Sequence, residues 1–247
     1  MHLSKEDLDS LRKDLTGLAR SGRSLESISR ALVGHLRSTL KDEKGEPALA
    51  LVRFFKTHVY SDLPPDLQRF ADRWIPEENR PEWLRCLTLL ATDGDEPRWR
   101  NRRESAAHQA VPLLSEEMVH GAPMIAQLIT EFGLSIANVV NPAPDLIVQS
   151  TATYGIFHIP EAQESPYIPD QEEFVKPYGI QSVLGFGGLL PNADLWTIIM
   201  FSRLSISKQT AASFRRIASG LTVTLIPFVE KTFAETPAGQ QTDSATA

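Results

Sequence analysis

The sequence predicts an α/β (α+β) fold in which a central, mostly antiparallel sheet is flanked by helices. Two apolar runs, residues 180–189 and 195–203, are joined by the turn-forming segment Leu190-Pro191-Asn192-Ala193-Asp194. Strands joined by a hairpin cannot be parallel neighbours, so at least part of the sheet is antiparallel. Helical periodicity occurs before the first strand and after the last, which predicts helices at both ends of the chain.

Two amphipathic helices open the chain. Ser4-Lys5-Glu6-Asp7 has the pattern of a helix cap with an acid three positions on, and Leu8, Leu11, Leu15 and Leu18 then follow at 3-4-3 spacing. This narrow apolar seam is typical of a short coiled coil, so we expect a homodimer through the N-terminal helix. Ser24 caps a second helix that runs to Leu40 and is equally suited to packing on the chain's own sheet.

Strands and short helices follow in the middle of the chain. Residues 48–56 and 84–92 are apolar runs with the length of strands, and residues 153–159 alternate as a strand. Residues 99–113 are expected to return as an edge strand or irregular structure, because Pro112 suits a strand edge. The helix predicted over 123–132 starts with Pro123 and ends before Gly133, and Ser207 caps a last helix.

Composition and charge indicate the cellular compartment of the protein and the class of partner that it does not bind. The 247 residues carry a net charge of −6, which argues against nucleic acid as a partner. The lone Cys86 fits a reducing compartment, and the absence of a signal peptide or membrane span predicts a cytoplasmic protein. We divide the chain into an N-terminal helical extension (1–21), a main domain (22–232) and a disordered tail (233–247).

The motifs of common enzyme and metal sites are missing from the sequence. Gly185-Phe186-Gly187-Gly188 is followed by Leu189-Leu190-Pro191 and not by a helix start, so it is not a phosphate loop. There is no Gly-x-Ser-x-Gly, no paired-histidine helix and no Cys-x-x-Cys. We therefore expect no enzymatic activity and no metal site.

A candidate ligand site is predicted beneath the proline-rich segment 160–178, which is too long and aromatic for a simple connector. The polar tips of His158, Tyr167 and Tyr178 are expected to converge on one ligand, with Ile125, Ile129 and Phe174 as apolar walls. Tyr154 and Phe186 complete the predicted ligand-binding set. The aromatic residues of the segment are equally suited to forming a small core of their own.

The closing part of the chain resembles the GAF family of sensor domains. The similar residues are Gly179-Ile180-Gln181-Ser182-Val183-Leu184-Gly185-Phe186-Gly187-Gly188-Leu189-Leu190, then Asp194-Leu195-Trp196-Thr197-Ile198-Ile199-Met200-Phe201-Ser202-Arg203 and the helix 210–225. The sequence departs from the family pattern at the long insert 57–83 and in the segment 99–110. The resemblance implies a ligand pocket between the sheet and the middle helix and loop, and dimerisation through the terminal helices.

These observations predict a non-enzymatic sensory or regulatory domain. It is expected to bind a small molecule of unknown identity, without a required cofactor, and to signal through a helix-mediated dimer. One alternative is a haem-binding or gas-binding sensor on the same fold, with His158 or His120 as the axial iron ligand. Another is a protein interaction module whose pocket is filled by its own side chains.

Overall fold

The computed structural model describes residues 1, 3–76, 81–141 and 154–233. The helices are α1 (Lys5–Ser21), α2 (Leu25–Thr39), α3 (Pro65–Ala71), α4 (Glu116–His120), α5 (Pro123–Glu131), α6 (Ile136–Val140) and α7 (Lys208–Leu225). The strands are β1 (Leu49–Val59), β2 (Arg85–Gly94), β3 (Ala110–Pro112), β4 (Tyr154–Ile159), β5 (Ser182–Leu189) and β6 (Leu195–Ser202). Single 3₁₀ turns and one π turn, Gln171–Val175, connect them.

The six strands form one sheet in the order β3-β2-β1-β6-β5-β4, and every pairing is antiparallel. The predicted fold class is therefore confirmed. A β-bulge interrupts the pairing of β1 with β2, where Phe54 is opposite Ala91 and Phe55 is opposite Leu89. The extra residue, Leu90, shifts the alternation of β2 by one position.

Three long helices cover one face of the sheet. Leu15 of α1, Leu32 of α2 and Phe214 of α7 are fully buried there against Phe54 and Trp196 of the sheet. The helix starts follow the sequence: Ser4 and Asp7 form the predicted capping box, and the Ser207 hydroxyl accepts a hydrogen bond from the Thr210 backbone at 3.1 Å. We call this the three-helix face.

The opposite face is covered by α4, α5, α6 and the segment 160–180. Leu128 and Ile129 of α5 and Val139 of α6 pack there on Phe55 and Ile199 of the sheet. Gly155 of β4 allows α5 close to the sheet, because a β-carbon at that position would lie 2.7 Å from Phe132. We call this the short-helix face.

The segment 99–113 contains both of the structures that were expected for it. Pro97–Arg100 and Arg102–Glu104 are 3₁₀ turns, and Ala110–Pro112 pairs with β2 as the edge strand. One expectation about the start of the chain is wrong. The leucine seam of α1 is not free for a partner, because Leu11 and Leu15 are 3% and 0% exposed in the chain's own core. The predicted disordered tail falls almost entirely outside the described residues.

Candidate functional site

Pairing register decides which side chains share the short-helix face. Cross-strand partners in an antiparallel sheet point to the same face. One row across the sheet consists of Thr92, Arg53, Ile199, Gly185 and Phe157. Because Ile199 and Phe157 belong to the core beneath α5, Arg53 and Thr92 also point towards the short helices.

An apolar cavity of about 20 Å³ lies between α5 and this face. Its lining includes Leu87, Ile125, Leu128, Ile129, Val139 and Ile199. A cavity of this size holds no more than about one water molecule, so a larger guest would have to displace part of the helical cover.

Arg53 is the unusual residue of the short-helix face. Its guanidinium forms no ion pair and no hydrogen bond with the residues that the structure describes, and its Nε is buried without a partner. Burial lowers the pKa of Arg53 to about 10, so the side chain remains charged at neutral pH. Arg53 is therefore a half-buried cation without a counter-charge among the described residues, and its enclosed Nε is left unpaired at a cost in free energy.

Two polar side chains lie near Arg53. Thr92 is directly opposite Arg53 on β2 and is 6% exposed, yet its hydroxyl has no hydrogen-bond partner. His108 precedes β3, and crowding by protein atoms, followed by the charge of Arg53, lowers its pKa to about 4. His108 is nevertheless an exposed residue.

The predicted residues of α5 and of segment 160–178 lie on this side of the sheet. Ile125 and Ile129 line the cavity, while Tyr167, Phe174 and Tyr178 pack against the same core. These last three do not line the cavity.

Phe174 and Tyr178 belong to an aromatic cluster. The ring centroids of Phe174 and Tyr178 are 5.5 and 4.5 Å from that of Trp99, and Phe174 packs on Phe201 at 5.0 Å. The Tyr178 hydroxyl donates a hydrogen bond to Glu96 at 2.8 Å. Phe174 and Tyr178 therefore pack with Trp99 and Phe201, which lie outside the segment, as part of the core on the short-helix face.

Three predicted site residues point away from this region. Phe186 is fully buried on the three-helix face, where its ring lies 5.3 Å from that of Phe214, and Tyr154 packs against the same core. His158 is opposite Leu184, which belongs to that core. The proposed convergence of His158 with Tyr167 and Tyr178 is therefore wrong, because the sheet separates them.

Neither candidate axial histidine is placed to hold haem beside the cavity. His120 is exposed at the end of α4, and His158 lies on the other face of the sheet. Within the described part of the chain, no three histidine, cysteine, aspartate or glutamate side chains group as metal ligands would. In that same part, no helix combines the length and apolar character needed to cross a bilayer.

A second polar cluster joins the strands at the opposite end of the sheet. Lys56 and Asp194, 1% and 4% exposed, form an ion pair that Arg85 also joins. The Thr57 hydroxyl donates to Asp194 at 3.4 Å and accepts from the Leu195 backbone at 2.9 Å. Because Asp194 lies in the β5–β6 turn and satisfies both cations, we interpret this cluster as structural.

The single cysteine has the properties of a core residue. Cys86 is fully buried, and burial raises the pKa of its thiol to about 12. A thiol in this environment remains protonated and is a poor nucleophile at neutral pH.

The buried His58 is expected to lower the free energy of unfolding in acid. It is 5% exposed; its Nδ1 donates to the Lys56 carbonyl at 3.2 Å, while its Nε2 is buried without a partner. Burial, and then the charge of Lys56, hold the pKa of His58 well below 6.5. The unfolded chain therefore takes up a proton that the folded protein does not, and stability should fall by about 1.4 kcal/mol per pH unit below about 6.5.

The measurement is urea denaturation of the parent protein and of His58→Asn between pH 7.5 and 5. The asparagine amide can donate to the Lys56 carbonyl in place of the imidazole Nδ1. The variant is expected to be less stable at all pH values, because it loses the contact of the ring with Phe233, but to show a shallower decline in acid. Equal slopes for the two proteins would contradict a buried neutral His58.

Sequence reasoning missed Arg53, Thr92 and His108. The available signal was Arg53 itself, a cation inside the apolar strand segment Leu49-Ala50-Leu51-Val52-Arg53-Phe54-Phe55. A central strand buried on both faces has no ordinary place for such a side chain.

Comparison with known proteins gives similarity of fold only. No protein-family model matches the sequence, and no curated protein matches it. Solved structures that match include the GAF domain of a phosphoenolpyruvate-protein phosphotransferase from Coxiella burnetii, with 11% identity and a TM-score of 0.48 over 90% of this chain and 95% of that one. The nlh2 GAF domain of A. aeolicus in an inactive state matches with 9% identity and a TM-score of 0.46 over 90% and 96%.

A third similar structure is the reduced form of fRMsr of Staphylococcus aureus, with 8% identity and a TM-score of 0.44 over 89% of this chain and 95% of that one. The absence of enzymatic activity stays a prediction.

Proposed function

We propose that this GAF-like domain is a non-enzymatic sensory module that binds a small molecule between the sheet and the short helices α4–α6. The observation that carries the proposal is the incomplete closure of this cover. Met124, Ile125 and Ala126 are apolar and only partly buried, and they lie above a cavity whose lining is apolar. Apolar spaces with a few polar groups at the edge are the usual form of small-molecule sites.

The two faces of the sheet differ in how readily they can open. The three-helix face is closed by helices of 17, 15 and 18 residues with fully buried leucines. The cover of the short-helix face consists of helices of 5, 9 and 5 residues. Short elements with fewer buried contacts open at lower free-energy cost, which favours ligand entry on that side.

Signalling would pass through the sheet. Ile199 lines the cavity, while its neighbours Ile198 and Met200 pack in the core beneath α1, α2 and α7. A shift of β6 on ligand binding would therefore change the packing of the terminal helices. In the proposed homodimer these helices would carry the change to the partner, through outer residues such as Val223, which is 67% exposed.

A second candidate function is a protein interaction module without a ligand. The small size of the cavity favours it, because about 20 Å³ leaves no room for a metabolite in this conformation. The two functions differ in whether α5 moves to admit a small molecule.

Filling the cavity separates these two functions. Val139→Leu adds one methylene to a wall that is 4% exposed, and it is expected to cost no more than about 1–3 kcal/mol of stability while blocking ligand entry. Native mass spectrometry and a metabolite screen by thermal unfolding are the measurements. We expect a bound mass, or a metabolite that raises the melting temperature, for the parent protein and not for the variant.

The control is Val223→Leu, which adds the same methylene at an exposed position. If native mass spectrometry finds no bound mass on the parent protein and no metabolite raises its melting temperature, the sensory function is contradicted and the interaction module is favoured. Equal ligand binding by parent and V139L would show that the ligand binds elsewhere.

A further inference from the structure

We propose that the ligand of this site is a small, largely apolar carboxylic acid, whose carboxylate pairs with Arg53 and whose apolar part extends towards α5. The inference rests on the proposed function, because it names the chemical class of the molecule bound at the same site. Arg53 is adjacent to Ile199 in the sheet, and Ile199 lines the apolar cavity. A charged end and an apolar end therefore fit side by side.

The positive charge of Arg53 favours an anionic ligand. A guanidinium presents five N–H donors, and in Arg53 the donor on Nε is buried without a partner. Buried cations in proteins are ordinarily paired, since an isolated charge loses its hydration without compensation. A planar carboxylate matches the fork of the guanidinium with two parallel hydrogen bonds.

The chain does not provide this anion from the nearby strand end. Asp93 and Asp95 follow Thr92 directly, but both face α2, where they pair with Arg37. Asp95 also pairs with Arg203, and Glu96 accepts the hydrogen bond from Tyr178. Asp93, Asp95 and Glu96 are thus already paired with groups other than Arg53.

Thr92 and His108 supply neutral donors beside the cation. The hydroxyl of Thr92 is buried without a partner, and His108 is neutral because the surrounding protein atoms and the charge of Arg53 lower its pKa to about 4. The site therefore has one positive charge and two uncharged polar groups. A carboxylate balances this charge, whereas a phosphate with nearly two negative charges would remain uncompensated.

The test follows thermal unfolding during titration with octanoate and benzoate, and with octanamide and benzamide as neutral analogues of the same shape. Inorganic phosphate is titrated in parallel. We expect the carboxylates to raise the melting temperature of the parent protein by about 4 °C at ten times their dissociation constant. The amides and phosphate are expected to have no such effect.

Arg53→Gln is expected to weaken carboxylate binding about tenfold or more, because it removes the charge and the paired donors. The matched control is Arg98→Gln, which removes an exposed arginine of the same region and should leave binding unchanged. If the amides stabilise the protein as much as the acids do, the ligand is not recognised by its carboxylate, and this proposal is wrong. The proposed sensory function would not be affected by that result. Stabilisation by phosphate alone, or by none of the probes, would also overturn the carboxylate class.

A second measurement needs no ligand. Arg53→Met replaces an unpaired, half-buried cation by an apolar side chain of similar length, so the ligand-free variant is expected to melt at a higher temperature than the parent. A lower melting temperature would show that Arg53 stabilises the fold by itself, and would overturn its assignment as a ligand anchor.

Discussion

Replacing Asp194 with alanine is expected to destabilise the protein by about 3–5 kcal/mol, because the substitution leaves the buried Lys56 and the partly buried Arg85 without their shared counter-charge. Lys56 is 1% exposed, so its ammonium group cannot reach water without moving the strands, whereas the Arg85 side chain keeps 12% of its surface exposed. Burial already lowers the pKa of Lys56 although Asp194 opposes that shift. Without Asp194, the cost of burying the ammonium group is no longer offset.

The hydrogen bonds of Asp194 add to the effect. Asn192 donates to the carboxylate at 2.6 Å within the β5–β6 turn, and the Thr57 hydroxyl donates to it from β1. The measurement is guanidinium denaturation of the parent and of D194A. The control is Glu172→Ala, which breaks the exposed pair of Glu172 with Lys176 and should cost no more than about 0.5 kcal/mol.

A double substitution separates the charge from the packing. Because D194A leaves Lys56 charged and unpaired, replacing Lys56 with methionine in that background should recover part of the lost stability. Equal costs for D194A and E172A would contradict a structural role for the cluster. A further loss on adding Lys56→Met would show that the hydrogen bond from the ammonium group to the Thr57 carbonyl, at 3.1 Å, stabilises the fold more than the unpaired charge destabilises it.

Local patterns made most of the fold predictable. Strands β5 and β6 are apolar runs separated by turn residues, and α7 starts at a serine cap, so neighbouring residues determine all three. The capping box of α1 is likewise formed by residues three positions apart, Ser4 and Asp7. The edge strand β3 is only three residues long, and no local pattern distinguishes it from the turns before it.

The candidate site depends on register, which local patterns do not determine. Tyr154, Ile156 and His158 share one face of β4 by simple alternation, but only the pairing with β5 shows that this face packs on α7. The bulge at Leu90 has a similar consequence. Because of the bulge, Thr92 points to the same face as Leu89 and lies beside Arg53. In an uninterrupted strand, Thr92 and Leu89 would point to opposite faces.

Leu11→Glu together with Leu15→Glu is expected to cost at least about 4 kcal/mol and to unfold α1 from the domain, instead of simply separating a dimer. The leucine spacing alone indicates a coiled-coil seam, but both side chains are buried in the core shared by α2 and α7. Two carboxylates in that core would have no partners, so either they are neutralised at high cost or the helix detaches.

The outcome is measured by circular dichroism during thermal unfolding, with light scattering for the mass. Val223→Glu is the control, because it places one carboxylate on the outer surface of α7, where the side chain is 67% exposed and the stability change should stay within about 0.5 kcal/mol. If the terminal helices form the dimer, V223E should lower the mass of a folded protein, since it places charge at an apolar contact without touching the core. A folded L11E/L15E protein with the parent's melting temperature and half its mass would instead show that the leucine seam faces a partner.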